Sequence, residues 1–178
     1  PVRLVDVFVR PQLNASYDQA NVQVAVEWDG SGETAVSLQT IIRYQGQKIA
    51  QQQIETTEKR TTLTLPLANP HLWWPNGAGN QPLYQAEVRL LMNNVLSDSK
   101  QITFGVRHIE FVPNDTERDA LPYTLRVNGR KLYINGWNWV PIDLLYGVER
   151  PHKLAHLLNL AQQAHVNMLR VWGGGLIE

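Results

Sequence analysis

Short stretches in which apolar and polar residues alternate are the feature that most restricts the fold of this 178-residue chain. In residues 22–28, valines and a tryptophan occupy every second position. Such alternation is typical of β-strands with one face toward a core and the other toward solvent. Similar stretches, separated by turn residues, predict further strands at residues 5–9, 34–44, 48–54, 61–67, 83–92 and 102–104. About seven short strands with no helical pattern between them predict an immunoglobulin-like β-sandwich.

The pattern changes after about residue 105, where a polar stretch at residues 113–119 leads into two short alternating runs. Asn128 and Gly129 separate these runs. Because both residue types accept a positive φ, the pair predicts a type I′ β-hairpin.

A helix followed at once by an apolar run marks the last part of the chain. Residues 152–165 carry apolar side chains at helical spacing directly after Pro151, and residues 166–172 form the apolar run. Together with residues 133–139, these segments predict one β-α-β unit. One such unit cannot cover both faces of a parallel sheet. We therefore expect the chain to stop inside a larger α/β domain. Because it also starts directly on a strand-like alternation and ends on RVWGGGLIE with no cap or closing element, we expect both ends to be cut from a longer protein.

Composition excludes several classes of function. The 16 Lys and Arg residues balance 16 Asp and Glu residues, whereas a nucleic-acid-binding protein needs excess positive charge. The longest apolar runs are far shorter than the roughly 20 residues that cross a bilayer, so we expect no membrane partner. The chain has no Cys, which excludes a disulfide scaffold and a thiolate zinc site. None of these features indicates a cellular compartment.

The string RVWGGG at residues 170–175 is the strongest candidate for a binding site. Strand alternation places Arg170 and Trp172 on one side and Val171 on the other. A guanidinium group donates to hydroxyls or a carboxylate, and an indole face covers the apolar face of a sugar ring. The alternative is a buried arginine paired with a core carboxylate beside a packing tryptophan. The hexapeptide alone leaves both interpretations open.

Further candidates follow the preceding predicted strand. Asn138 and Trp139 are expected on the same rim as Arg170, where amide and indole groups can bind hydroxyls. Asp143 is an additional candidate, with capping of a turn as the alternative. Trp137 is expected to pack, because alternation points it away from Asn138.

Two other patterns have less specific interpretations. Trp73 and Trp74 lie among Pro and Gly residues and could form a sugar platform, but an anchor at a domain interface is favoured because exposed tryptophans are costly. His152 and His156 are spaced as i and i+4, yet no third ligand follows at a usable spacing. We predict neither a metal nor a cofactor.

Six motifs occur in an order that resembles the beta-mannosidase branch of glycoside hydrolase family two. They are residues 69–77 (NPHLWWPNG), 81–84 (QPLY), 104–107 (FGVR), 127–129 (VNG), 135–141 (NGWNWVP) and 167–175 (NMLRVWGGG). The resemblance implies an immunoglobulin-like β-sandwich over residues 1–107. It also implies that residues 108–178 comprise a linker, a β-hairpin and the first β-α-β unit of a truncated (β/α)₈ barrel.

The resemblance also implies roles for individual residues. Arg170 would orient and charge-stabilise the nucleophilic carboxylate, and Trp172 would line the subsite for the mannose ring. Asn138 and Trp139 would lie on the rim after the first barrel strand. The full-length parent would remove terminal β-linked mannose from the non-reducing ends of oligosaccharides.

The same resemblance predicts that this chain alone is inactive. Retaining glycosidases use two carboxyl groups about 5 Å apart. In this family they are glutamates on later barrel strands, which places them beyond Glu178. The isolated Glu149 and Glu178 have no partner at a suitable spacing and are expected at the surface.

The competing hypothesis is a stand-alone carbohydrate-binding or adhesive sandwich module. Such a module should end in a closed fold, whereas the helix and strand at residues 152–172 leave apolar surface open. The enzyme fragment is therefore favoured. A dimer through the exposed edge of the truncated barrel is a further expectation.

Overall fold

A computed structural model describes residues 2–30, 35–114, 123–143, 148 and 150–173 of the chain. The backbone separates into two compact units. The first consists of Pro1–Trp73 with Gln81–His108, and the second of Trp74–Asn80 with Ile109–Glu178.

The first unit is a sandwich of two antiparallel sheets. Its strands are β1 (Arg3–Leu13), β2 (Gln19–Asp29), β3 (Val36–Tyr44), β4 (Gln47–Thr56), β5 (Arg60–Ala68), β6 (Tyr84–Met92) and β7 (Val95–Phe104). One sheet has the order β1-β2-β5 and the other the order β4-β3-β6-β7. The immunoglobulin-like β-sandwich predicted from the alternating pattern is confirmed.

Alternation along the strands builds the core of this unit. In β2, the side chains of Val22, Val24, Val26 and Trp28 are buried. Trp28 Nε1 donates to the carbonyl oxygen of Glu58 at 2.7 Å, so the polar group of the indole is paired inside the core. The other members of the buried cluster are Val2, Val7, Ala20, Val36, Leu38, Ile42, Leu63, Leu65, Leu67, Tyr84, Ala86, Val88, Leu90, Phe104 and Val106.

The last strand of the sandwich is longer than the sequence predicts. The predicted strand covers residues 102–104, but β7 already begins at Val95. Asn93 and Asn94 connect it to β6 with φ values of 51° and 63°, which a tight hairpin turn requires. β7 lies at the edge of its sheet, and its many polar residues obscure the alternation that would identify a strand.

The second unit contains a small antiparallel sheet with the order β10-β9-β8. It consists of β8 (Ile109–Val112), β9 (Thr124–Val127) and β10 (Arg130–Leu132). Asn128 and Gly129 join β9 to β10 with φ values of 47° and 79°, so the predicted hairpin is confirmed. The sequence does not predict β8, because four residues carry too little alternation to stand out.

The second unit also contains a parallel pair of strands. β11 (Gly136–Trp139) pairs with β12 (Met168–Val171), and α1 (Pro151–Gln163) lies between them along the chain. The predicted β-α-β connection is confirmed, and its place in a larger barrel stays a prediction. The predicted helix extends two residues too far, because His165 adopts a positive φ of 54°. Among the described residues, no helix has the length and apolar character that crossing a membrane requires.

Candidate functional site

The parallel strands bring two of the predicted binding residues together. Asn138 and Arg170 lie directly opposite each other in the register of β11 and β12. Arg170 Nη1 donates to Asn138 Oδ1 at 3.4 Å, and both residues are exposed near the C-terminal ends of their strands. A guanidinium group has five N–H donors in one plane, more than the Asn138 oxygen can accept. Arg170 is therefore suited to bind a carboxylate or a pair of hydroxyls as well.

Two tryptophans lie at the same end of the strand pair. The backbone amide of Trp172 donates to the carbonyl oxygen of Trp139 at 3.0 Å, which continues the parallel pairing past β12. Trp172 is 47% exposed, and Trp139 is half-buried. An exposed tryptophan two residues after an exposed arginine offers an apolar face and hydrogen-bond donors at one strand end, as recognition of a sugar ring requires.

Trp137 does not have the packed environment that alternation predicts. It lies opposite Leu169 in the register and is 40% exposed. The sheet that contains it has only two strands in the described part of the chain, so little is available to cover the ring. The expectation of a packed Trp137 is wrong for this structure.

Asp143 forms an ion pair. Arg150 Nε donates to Asp143 Oδ2 at 3.0 Å, and Arg150 is the residue that precedes the first turn of α1. The pair connects the segment after β11 to the start of the helix, which favours the structural alternative for Asp143. Of the other residues noted in the sequence, Glu149, Gly174, Gly175 and Glu178 lie outside the described residues.

The adjacent tryptophans Trp73 and Trp74 each hold an arginine over the ring. Arg107 Cζ lies 4.3 Å from the ring centroid of Trp73, and Arg130 Cζ lies 4.4 Å from that of Trp74. Burial lowers the pKa of Arg107, but an arginine stays charged at neutral pH. A ring face that contacts a guanidinium group is not open to a sugar. These contacts argue against the sugar-platform alternative, and the interface role stays a prediction.

The two histidines of α1 provide little for a metal site. His152 and His156 are both exposed in the first turns of the helix. Within the ranges that the structure describes, no three or more His, Cys, Asp or Glu side chains form a group that could hold a metal ion.

The chain combines a β-sandwich with a pair of parallel strands whose C-terminal ends carry guanidinium, amide and indole groups. This combination suits a carbohydrate-active protein. The sequence model of the family described as "Glycosyl hydrolases family 2" matches residues 2–107, more than half of the 178-residue chain. The chain therefore belongs to glycosyl hydrolases family 2. The matched region contains the whole sandwich, so the family part of the resemblance is confirmed.

Curated relatives carry the name beta-mannosidase. The chain is 28% identical over 178 residues to Beta-mannosidase B of Emericella nidulans. It is 28% identical over 177 residues to Beta-mannosidase B of Aspergillus fumigatus. Each match covers 99% of this chain and 21% of the relative. The chain thus spans about one fifth of the length of these relatives.

Solved structures are similar over the same extent. The beta-D-mannosidase from Dictyoglomus thermophilum superposes with a TM-score of 0.86 at 29% identity, covering 99% of this chain and 22% of the other. The exo-chitosanase of Amycolatopsis orientalis gives a TM-score of 0.76 at 26% identity, covering 99% of this chain and 20% of the other. Because nearly the whole chain is covered, the similarity includes the second unit as well as the sandwich.

Proposed function

We propose that this chain is part of a retaining, exo-acting glycoside hydrolase that removes terminal β-linked mannose. The observation that carries the proposal is the register of β11 and β12, which sets Arg170 opposite Asn138 at the same end as the exposed Trp172. The names of the relatives and the higher TM-score of the beta-D-mannosidase support a mannoside substrate. Similarity to the same exo-chitosanase, also described as an exo-beta-D-glucosaminidase, makes a β-glucosaminide the main competing substrate.

In this proposal, the two parts of the chain have different tasks. Residues 1–107 form the immunoglobulin-like domain. Residues 108–178 supply the linker, the hairpin and the first β-α-β unit of a (β/α)₈ barrel. Active sites of such barrels lie at the C-terminal ends of the parallel strands. The exposed end of the β11–β12 pair would therefore face the substrate.

Each residue of this edge has a defined role in the proposal. The positive charge of Arg170 lowers the pKa of a nearby nucleophilic carboxyl group and keeps it ionised. Trp172 provides the apolar surface for the sugar ring, and Asn138 and Trp139 complete the rim. The two glutamates of retaining chemistry, about 5 Å apart, would come from the four fifths of such an enzyme that this chain does not span.

The first test is the activity of the 178-residue chain. We expect no hydrolysis of an aryl β-mannoside above background, because the ends of two strands alone cannot hold a catalytic acid and a nucleophilic carboxylate at the required separation. A protein of the relatives' full length that contains this chain should hydrolyse the substrate, with a higher kcat/KM than for the matching aryl β-glucosaminide. Turnover by the short chain, or preference for the glucosaminide, would contradict the proposal.

The second test separates the roles of two site residues in the full-length protein. Arg170→Lys keeps the charge but loses the planar donor group, so kcat should fall roughly 100-fold and the pH profile should shift. Trp172→Ala removes a stacking face, so kcat/KM should fall about 10- to 100-fold with the pH profile unchanged. The exposed Arg3, paired with Asp29 in the sandwich, provides the control Arg3→Lys. Near-normal kinetics of folded Arg170→Lys and Trp172→Ala would refute the site.

The stand-alone alternative makes a different prediction for the isolated chain. A carbohydrate-binding module should bind mannooligosaccharides without the rest of an enzyme, and calorimetric titration of the 178-residue chain measures this directly. Under our proposal binding is weak, since only one edge of the sugar site is present. The same sample tests the expected dimer by sedimentation, since Leu158, Leu160 and Val171 are exposed in the second unit.

A further inference from the structure

Asparagine side chains bind the carbonyl groups at the end of α1. Asn76 Nδ2 donates to the carbonyl oxygens of Gln162 and Val166, at 3.1 and 3.2 Å. Asn135 Nδ2 donates to the carbonyl oxygens of residues 164 and 165, at 3.0 and 3.1 Å. Gln162 lies in the last turn of α1, and residues 164–166 follow the helix directly. Two amide groups from distant parts of the sequence thus bind carbonyl groups of the segment that leads from α1 to β12.

A third asparagine joins the starts of the two parallel strands. Asn167 Oδ1 accepts a hydrogen bond from the backbone amide of Asn135 at 3.1 Å, and Asn167 Nδ2 donates to the carbonyl oxygen of Tyr133 at 2.8 Å. The backbone amide of Asn167 donates to the carbonyl oxygen of Asn135 at 2.9 Å. Asn135 directly precedes β11, and Asn167 directly precedes β12. These contacts therefore form the first link between the strands.

The register that follows from this link determines the geometry of the candidate site. Gly136 lies opposite Met168, and two positions further Asn138 lies opposite Arg170. A shift of one residue between the strands would turn every side chain of one strand to the other face. Strands of four residues have few side-chain contacts of their own to prevent such a shift.

We propose that Asn76, Asn135 and Asn167, here called the asparagine cluster, are positioning residues. Asn135 and Asn167 fix the register of β11 on β12 directly, and Asn76 holds the segment between α1 and β12 in place. Each uses its amide nitrogen to donate to backbone carbonyls, so an isosteric aspartate loses the donor and brings a negative charge against those oxygens. The negative end of the helix dipole makes that charge still less favourable near α1. That this register matters for sugar cleavage rests on the proposed function. The proposal that the asparagine cluster sets the register does not depend on that function.

The absence of cysteine from the chain allows a direct measurement of the register. Facing residues on adjacent strands lie about 4.8 Å apart, within the range that a disulfide spans. A double variant with Asn138→Cys and Arg170→Cys places its two cysteines opposite each other in the observed register, so its disulfide reports that register. The pair Asn138→Cys with Trp172→Cys is diagonal, roughly 7–8 Å apart, and should cross-link poorly. The ratio of the two disulfide yields under mild oxidation of the 178-residue chain measures the register.

We expect the facing pair to cross-link at least about tenfold better than the diagonal pair in the otherwise unchanged chain. Introducing Asn135→Asp or Asn167→Asp should bring the two yields close together. Asn159→Asp is the matched control, because Asn159 is exposed on α1 and accepts a hydrogen bond from Gln163 Nε2 through its oxygen, which aspartate retains. If neither aspartate variant folds, Asn76→Ala removes one amide without adding charge and should lower the ratio in the same direction.

A purely stabilising role has a different outcome. In that case the variants lower Tm, while the folded molecules keep the original ratio of cross-links, and the proposal is overturned. An altered ratio supports the asparagine cluster regardless of any enzymatic result. Normal kinetics of Arg170→Lys in the full-length protein would refute the proposed function and leave the register role intact.

Discussion

The sandwich and the second unit differ in how completely their described residues bury apolar side chains. In the sandwich, one buried cluster extends along the chain from Val2 to Val106. In the described part of the second unit, α1 has one buried residue, Ala161. Among the residues of that unit that the structure describes, the other buried hydrophobic ones are Leu125, Val127, Ile142 and Val166. Burial of apolar area is the main term that offsets the conformational entropy of folding. The sandwich is therefore expected to be the stable cooperative unit, with the second unit opening more easily.

Substitution of a tryptophan in each unit should give the largest contrast. Trp28 is 2% exposed, and Trp28→Ala leaves a cavity and an unpaired carbonyl at Glu58, at a cost of about 3–5 kcal/mol. Trp172→Ala should cost less than about 1 kcal/mol in this chain, because about half of the residue is exposed to solvent. Urea unfolding followed by circular dichroism measures both values. Similar losses would mean that the second unit packs as firmly as the sandwich.

Hydrogen exchange tests the same contrast without substitution. Amides in the central strands β3 and β6 should be protected about 100-fold more strongly than those of α1 and β12, because the latter can open locally without unfolding the sandwich. Mass spectrometry of exchanged peptides resolves the two units. Equal protection throughout the chain would show a single cooperative unit and contradict this prediction.

Alkaline pH should weaken the sandwich through a buried tyrosine. Burial raises the pKa of Tyr84, whose hydroxyl oxygen accepts a hydrogen bond from the backbone amide of His71 at 2.7 Å. A raised folded-state pKa means that this stabilisation is present below the unfolded value of about 10 and is lost as the pH rises through the folded value. Tyr84→Phe should cost about 1 kcal/mol at pH 7 and reduce the further loss at high pH.

The matched control for this pH effect lies in the second unit. Tyr133 is 89% exposed, so Tyr133→Phe should leave both the stability at pH 7 and its alkaline loss unchanged. Denaturant midpoints of the three proteins between pH 7 and 11 provide the measurement. Equal alkaline loss in the Tyr84→Phe variant and the unchanged chain would exclude this tyrosine as the cause.

The smallest effect is expected at the end of α1. The amides of His165 and Val166 donate to the carbonyls of Gln162 and Ala161 at 3.1 and 2.9 Å, which is a Schellman motif with His165 at the left-handed position. His165→Gly should stabilise the second unit by about 0.5 kcal/mol, because glycine adopts positive φ without strain. Ala155→Gly within the helix should destabilise it by about 1 kcal/mol. Exchange rates of α1 amides detect both changes, and a destabilising His165→Gly would contradict the motif.

One part of the candidate site was predictable from the sequence, namely the part that depends only on the order of strand, helix and strand along the chain. Two parallel strands joined by a helix place their C-terminal ends at the same edge, so the sequence alone predicts Asn138 on the same rim as Arg170. The structure adds that the two residues lie directly opposite each other. The ion pair of Asp143 with Arg150 and the exposure of Trp137 were not predictable. They depend on which other elements cover each side chain, and local alternation carries no such information.

The sequence by itself determined the sandwich, the Asn128–Gly129 hairpin and the β-α-β connection, because alternation, turn chemistry and helical spacing act over a few neighbouring residues. Tertiary structure alone decided that Asn76 binds carbonyl groups 86 and 90 residues away, and that Asn135 and Asn167 join strands 32 residues apart. An asparagine in a loop has the same local signature whether it faces solvent or a helix end. The physical reason is that a hydrogen bond depends on distance in space, which only the folded chain establishes.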